Sequence, residues 1–186
     1  MPISRIPGVG LETTGTASVN TFLRGDNAWS GTITSGTAVS ASGTSVDFTG
    51  IPSTAKRVTV MLNGISTNGT SPIQIQIGSG SVTTSGYFAN WAAINGGTAQ
   101  GNVTTGFYAS GGSLAASVTT GQLILSLISG NTWVATGLFL YTNNAGAVIM
   151  VSGNVTLSGA IDRARLTTVN GTDTFDAGTI NIMWES

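Results

Sequence analysis

The chain has 186 residues, enough for one domain of ordinary size with an extension. Only 7% of them are charged, six Lys and Arg against seven Asp and Glu, while 40% are hydrophobic; such a chain folds, and with a net charge of −1 and no basic run it is not expected to bind nucleic acid. Histidine and cysteine are both absent, which removes disulfides, thiolate and imidazole metal sites, and Ser/His or Cys/His nucleophile systems; no cofactor and no metal are expected.

A surface built from Thr, Ser, Asn and Gly has little electrostatic protection against self-association, so much of it is expected to be buried between copies of the chain. The competing expectation is a monomer with an uncharged, hydroxyl-rich surface. The start, Met1-Pro-Ile-Ser-Arg-Ile-Pro, shows no apolar core of a secretion signal, and no later apolar run approaches the roughly 20 residues that span a bilayer. Synthesis in a cytoplasm without membrane insertion is the expectation. Over residues 1–20, Pro and Gly punctuate Ile3, Ile6, Val9 and Leu11 at a spacing that fits neither helix nor strand. This predicts an extended arm, about residues 1–30, ordered by what those four side chains dock against. Gly8-Val-Gly10 lacks the rest of a dinucleotide or phosphate-loop fingerprint and reads as part of the arm.

Next comes Thr-Phe-Leu-Arg-Gly-Asp-Asn-Ala-Trp, residues 21–29. Phe22, Leu23, Arg24, Gly25, Asp26 and Trp29 resemble a junction motif of bacteriophage tail-fibre proteins, with Asn27 where a second glycine usually stands; Asn tolerates the left-handed backbone that Gly supplies. The resemblance adds Phe22, Leu23 and Trp29 to the docking arm. Arg24-Gly25-Asp26 also spells the integrin tripeptide, for which a structural turn is the stronger reading.

Residues 31–45 look like a Gly/Ser linker with weak alternation at Ile33, Val39 and Ala41, a linker or a first short strand. From Val46 to 186 the period is two, predicting a body of antiparallel strands. Val58, Val60 and Leu62 alternate with Arg57, Thr59 and Met61, and Ile73, Ile75 and Ile77 with Gln74 and Gln76, as in half-buried strands. Further strands are predicted over 122–128, 133–141, 148–157, 160–168 and 179–184. Turns are predicted at Asn63-Gly64, Asn68-Gly69, Ser129-Gly130-Asn131, Asn143-Asn144-Ala145-Gly146 and Asn170-Gly171. With no persuasive helix and about eight short strands, the prediction is an all-β antiparallel β-sandwich, jelly-roll-like. Leu138–Tyr141 and Ala147–Val151 are apolar on both faces, so one face should meet the opposing sheet and the other a neighbouring subunit. Val46–Gly78 and Ala164–Glu185 look like the body of phage structural proteins, whereas about Ser79–Gly121 matches nothing in that family.

Candidate sites are few. Asp173 and Asp176 are the nearest carboxylate pair, and a glycan-cleaving activity would need two held about 5–10 Å apart. An Asx-turn leading into a last strand is the better reading, so no catalytic residue is predicted. Asn68, Asn102, Asn154 and Asn170 begin Asn-x-Ser/Thr sequons that follow from a Thr-rich composition. In Gly86–Gly112, Tyr87, Phe88, Trp91, Phe107 and Tyr108 lie among Asn90, Asn95, Gln100 and Asn102. Aromatic faces beside amides suit a sugar or protein surface, and Tyr87, Trp91, Asn95 and Tyr108 are the candidate host-surface contacts. The competing reading makes Phe88, Trp91 and Phe107 core residues of two irregular strands.

The fibre resemblance implies a virion protein that assembles as a homotrimer, docks on other tail or capsid proteins by its arm, and contacts a host glycan or protein by its body. Two alternatives from other classes are a head-decoration or head-fibre protein with a purely structural role and a short glycan depolymerase.

Overall fold

The computed structural model describes residues 22–23, 29–30, 33–94, 98–110, 115, 117–142 and 146–186. The chain divides into two compact units, Met1–Thr34 and Ser35–Ser186. In the first, β1 (Phe22–Leu23) and β2 (Trp29–Ser30) form an antiparallel ladder with Leu23 opposite Trp29. Ile3, Ile6, Val9, Leu11 and Arg24-Gly25-Asp26 lie outside the described residues. A third strand, β3 (Ile33–Ser35), spans the boundary.

The second unit is all-β, without a helix among the described residues. Its strands are β4 (Val39–Ser40), β5 (Ser45–Thr49), β6 (Arg57–Thr67), β7 (Ile73–Ser79), β8 (Ser81–Val82), β9 (Phe88–Ile94), β10 (Thr98–Val103), β11 (Phe107–Tyr108), β12 (Val118–Ser129), β13 (Thr132–Thr142), β14 (Ala147–Thr156), β15 (Arg163–Thr168) and β16 (Phe175–Glu185). A large antiparallel sheet runs β10-β9-β14-β13-β12-β6-β16, with β4 on the free side of β16. A smaller one runs β11-β7-β15-β5, with β8 folded back on β7.

Period-two patterning builds the sandwich, because alternate residues on a strand point to opposite faces. Val58, Val60 and Leu62, Leu123 and Leu125, Phe139, Ile149 and Val151, and Ile180 and Ile182 turn inward from the large sheet. Ile73, Ile75, Ile77, Phe107 and Leu166 meet them from the small one. Trp133 is the largest fully buried side chain. Each such aliphatic or aromatic group withdrawn from water contributes about 1.5–3 kcal/mol, and the core lies between the two sheets.

Two expectations need correcting. Asn63-Gly64 is no turn: β6 continues through it, and Gly64 (φ 70°) sits where β16 bulges, against Gly178 (φ 97°). A side chain on Gly178 would come within 2.5 Å of the Gly64 backbone, so the crossing needs glycine for both its conformation and its closeness. Gln74 and Gln76 are not the solvated side of a half-buried strand, being only 3% and 4% exposed. The loop at 104–106 folds over them: Gln76 Nε2 donates to the Thr105 carbonyl at 2.7 Å, and Thr105 Oγ1 donates to Gln74 Oε1 at 2.9 Å. Satisfied amides tolerate burial.

Candidate functional site

The outer face of the large sheet carries the features that could engage a partner. Residues 58–161 contain no Asp, Glu, Lys or Arg, so β9, β10, β12, β13 and β14 are uncharged from end to end. Strand register sorts their outward side chains into rows across the sheet. At one end, Ile94, Val148 and Leu140 lie side by side, and in the next row Ala92, Met150, Leu138, Gln122 and Met61 do so. Ile94, Leu138, Leu140, Val148 and Met150 are 39–57% exposed, although each belongs to a strand whose alternate residues form the core. Leu138–Tyr141 and Ala147–Val151 thus present one apolar face to the core, as expected, and the other to the surface.

At the other end, two rows form a cleft of about 670 Å³. One row is Asn102, Asn90, Ser152 and Thr136; the other is Phe88, Asn154 and Val134. Ser152 and Thr136 are short and form a floor between taller neighbours. Phe88 stands at 79% exposure, the most exposed large apolar side chain among the described residues. Asn90 Nδ2 donates to Asn102 Oδ1 at 3.1 Å, which fixes that pair across β9 and β10 and leaves further amide groups facing the cleft. Asn154, Ser152 and Thr136 make no side-chain hydrogen bond among the described residues. Beneath the cleft, Gly153 lets β9 approach β14: a Cβ there would lie 2.5 Å from the Ala89 Cα.

The sequence-stated contacts divide differently. Tyr87 is a core residue, 2% exposed, packed edge-on to Phe107 at 5.0 Å. Its hydroxyl accepts from the Ile77 amide at 2.9 Å and donates to the Thr83 carbonyl at 3.0 Å, and burial pushes its pKa well above the usual phenol range. Although so little exposed, it borders the Phe88 cleft. Trp91 and Tyr108 are half-buried, stacked on each other at 6.3 Å and packed against the core, with Gly101 leaving room for the indole. Neither lines the cleft. Asn95 lies outside the described residues. Phe88, read in one alternative as core, is the exposed ring, whereas Phe107 is indeed core. The alternation Phe88-Asn90-Ala92-Ile94 against Ala89-Trp91-Ala93 carried that signal; Asn154, Ser152 and Thr136 join only through register.

The carboxylates have structural partners. Asp173 accepts from Asn170 Nδ2 at 2.6 Å and from the Ser71 amide at 2.9 Å, bracing two turns together, and these bonds, Asn170 foremost, hold its carboxyl below the usual range. Asn170 Oδ1 accepts in turn from the Thr172 amide. Gly69 provides the space, since a Cβ there would collide with the Asp173 carboxylate. Asp176 accepts from Ser66. Asp162 pairs with Arg163 at 2.7 Å, and that hydrogen bond lowers its pKa, while Asp47 holds Arg165 in a two-pronged pair at 2.7 and 2.9 Å. None of these groups lines the Phe88 cleft. Comparison with protein-family models, curated proteins and solved structures returned no match for this chain.

Proposed function

We propose that the chain is a non-enzymatic structural subunit of a phage particle, a fibre protein that assembles with copies of itself and presents its sandwich body to the host surface. One observation carries the assembly: an outer sheet face that is uncharged over β9, β10, β12, β13 and β14, with exposed rows Ile94–Val148–Leu140 and Met150–Leu138. At about 4.8 Å between neighbouring strands, the row Ala92–Met150–Leu138–Gln122–Met61 runs about 19 Å across the apolar end of the face. An apolar surface of this kind marks an association site, and without charge it sets up no like-charge repulsion between identical copies. The junction motif at 21–29 supports the fibre identity, and the apolar arm residues support docking on other virion proteins. Trimeric order comes from that resemblance, and repeated weak contacts with a host would then add through effective concentration.

Sedimentation equilibrium of the full-length protein tests the reading. The expected mass is three times the 18.7 kDa chain. A chain that stays monomeric at every concentration contradicts it.

A further inference from the structure

We infer that the Phe88 cleft is a binding site for a neutral saccharide. The inference rests on the proposed assembly for its setting, because the apolar end of the same face, not the cleft, is what copies cover. The two ends are separate: Phe88 and Ile94 are the first and last residues of β9, about 20 Å apart at the rise of a strand.

The chemistry of the cleft selects the ligand. Three amides, Asn90, Asn102 and Asn154, and two hydroxyls, Thr136 and Ser152, offer donors and acceptors together, matching ligand hydroxyl groups that also do both. Phe88 projects an apolar ring beside them, a platform for the C–H face of a sugar ring. No cation lines the cleft or stands on β9, β10, β13 or β14, so a phosphate, sulfate or uronate would find no counter-charge, and a nucleotide is disfavoured despite the aromatic ring. No carboxylate is present to favour an amino sugar or a basic peptide. The volume, about 670 Å³, falls within the roughly 300–1,000 Å³ of small-ligand sites and suits a short oligosaccharide. A second copy of this chain is a poor occupant, because covering three amides without partners would cost stability that the apolar end does not demand.

Saturation-transfer NMR on the full-length protein tests this, with maltotriose, mannotriose and tri-N-acetylchitotriose as neutral probes and trigalacturonic acid as the acidic control. Transfer to at least one neutral trisaccharide is expected, with none to the acid. Phe88→Ala and Asn154→Ala should each weaken binding at least tenfold while sedimentation mass and melting temperature stay unchanged. Asn154→Ala decides the matter should the Phe88 variant prove less stable. The inference is overturned by silence from all three neutral probes at about 10 mM, by binding that survives both substitutions, or by a Phe88→Ala protein that loses its assembled mass. Because mass is read on the same samples, a monomer that still binds sugar sinks the assembly reading alone, and an assembly that binds none sinks this one alone.

Discussion

The two sheets bury their inner faces alike and finish their outer faces in opposite ways. On the small sheet, the outward side of β7 is sealed by a loop whose Thr105 satisfies Gln74 and Gln76, and the β5–β15 edge carries the Asp47–Arg165 pair directly across the ladder. On the large sheet, the outward side of β13 and β14 carries Leu138, Leu140, Val148 and Met150 in the open. Charges and satisfied amides make a surface that water suffices to cover, whereas exposed Leu and Met rows are the kind of surface that the proposed assembly would cover. The difference teaches that the same alternation can serve two ends, folding through one set of residues and, in the proposed assembly, association through the other.

Neighbouring positions on β14 break that comparison most sharply. Ile149 is fully buried and Met150 is 43% exposed. Ile149→Ala should lower folding stability by about 2–5 kcal/mol, read by chemical denaturation, whereas Met150→Lys should leave the monomer's stability within about 0.5 kcal/mol and reduce assembled mass instead. Equal destabilisation by both would mean that the outer face belongs to the core.

Gly178→Ala comes next. Strain at its positive φ together with the clash against Gly64 should cost about 1–3 kcal/mol in the same denaturation measurement, with an unperturbed variant showing that the bulge is not needed.

pH moves stability by a smaller amount. Tyr87 keeps its proton when folded but loses it above about pH 10 when unfolded, so its contribution is complete below that pH and is lost as pH rises toward the folded value. Asp162 and Asp173 have lowered folded values, so their contribution is present above about pH 4 and is lost as pH falls through those values. Thermal melts should therefore be flat between about pH 5 and 9, and Tyr87→Phe should blunt the alkaline decline. A steep change near neutrality would contradict the assignment, since the chain has no histidine.

The smallest effect belongs to the small sheet's edge. Asp47→Asn removes an exposed ion pair and should cost under about 1 kcal/mol, diminishing further in high salt; a larger loss would show that this edge, too, is covered.

Strands with strong alternation were legible in the sequence: Val58-Val60-Leu62, Ile73-Ile75-Ile77 and Phe139-Tyr141 all face the core as their period demands. So was the double-sided apolar run on β13 and β14. Asn63-Gly64 was misread because a bulge and a turn ask for the same residues, and only the opposing Gly178 distinguishes them. β9 and β10 were harder to read because Ala, Asn and Gly make up much of their alternation, so the signal that sets Phe88 outward is weak. Gln74 and Gln76 looked solvent-facing because a loop nearly thirty residues away, which no local pattern announces, supplies their hydrogen bonds. The cleft combines side chains from β9, β10, β13 and β14, and register alone brings Asn154 opposite Phe88.

The central claim is that copies meet through the outer face of the large sheet. Light scattering on the Leu138→Lys, Met150→Lys double variant beside the unaltered protein tests it most directly. The account predicts an assembled unaltered protein and a folded, monomeric variant, because two ammonium groups would stand in adjacent cross-strand positions on the contact face. A variant with the assembled mass intact would contradict it.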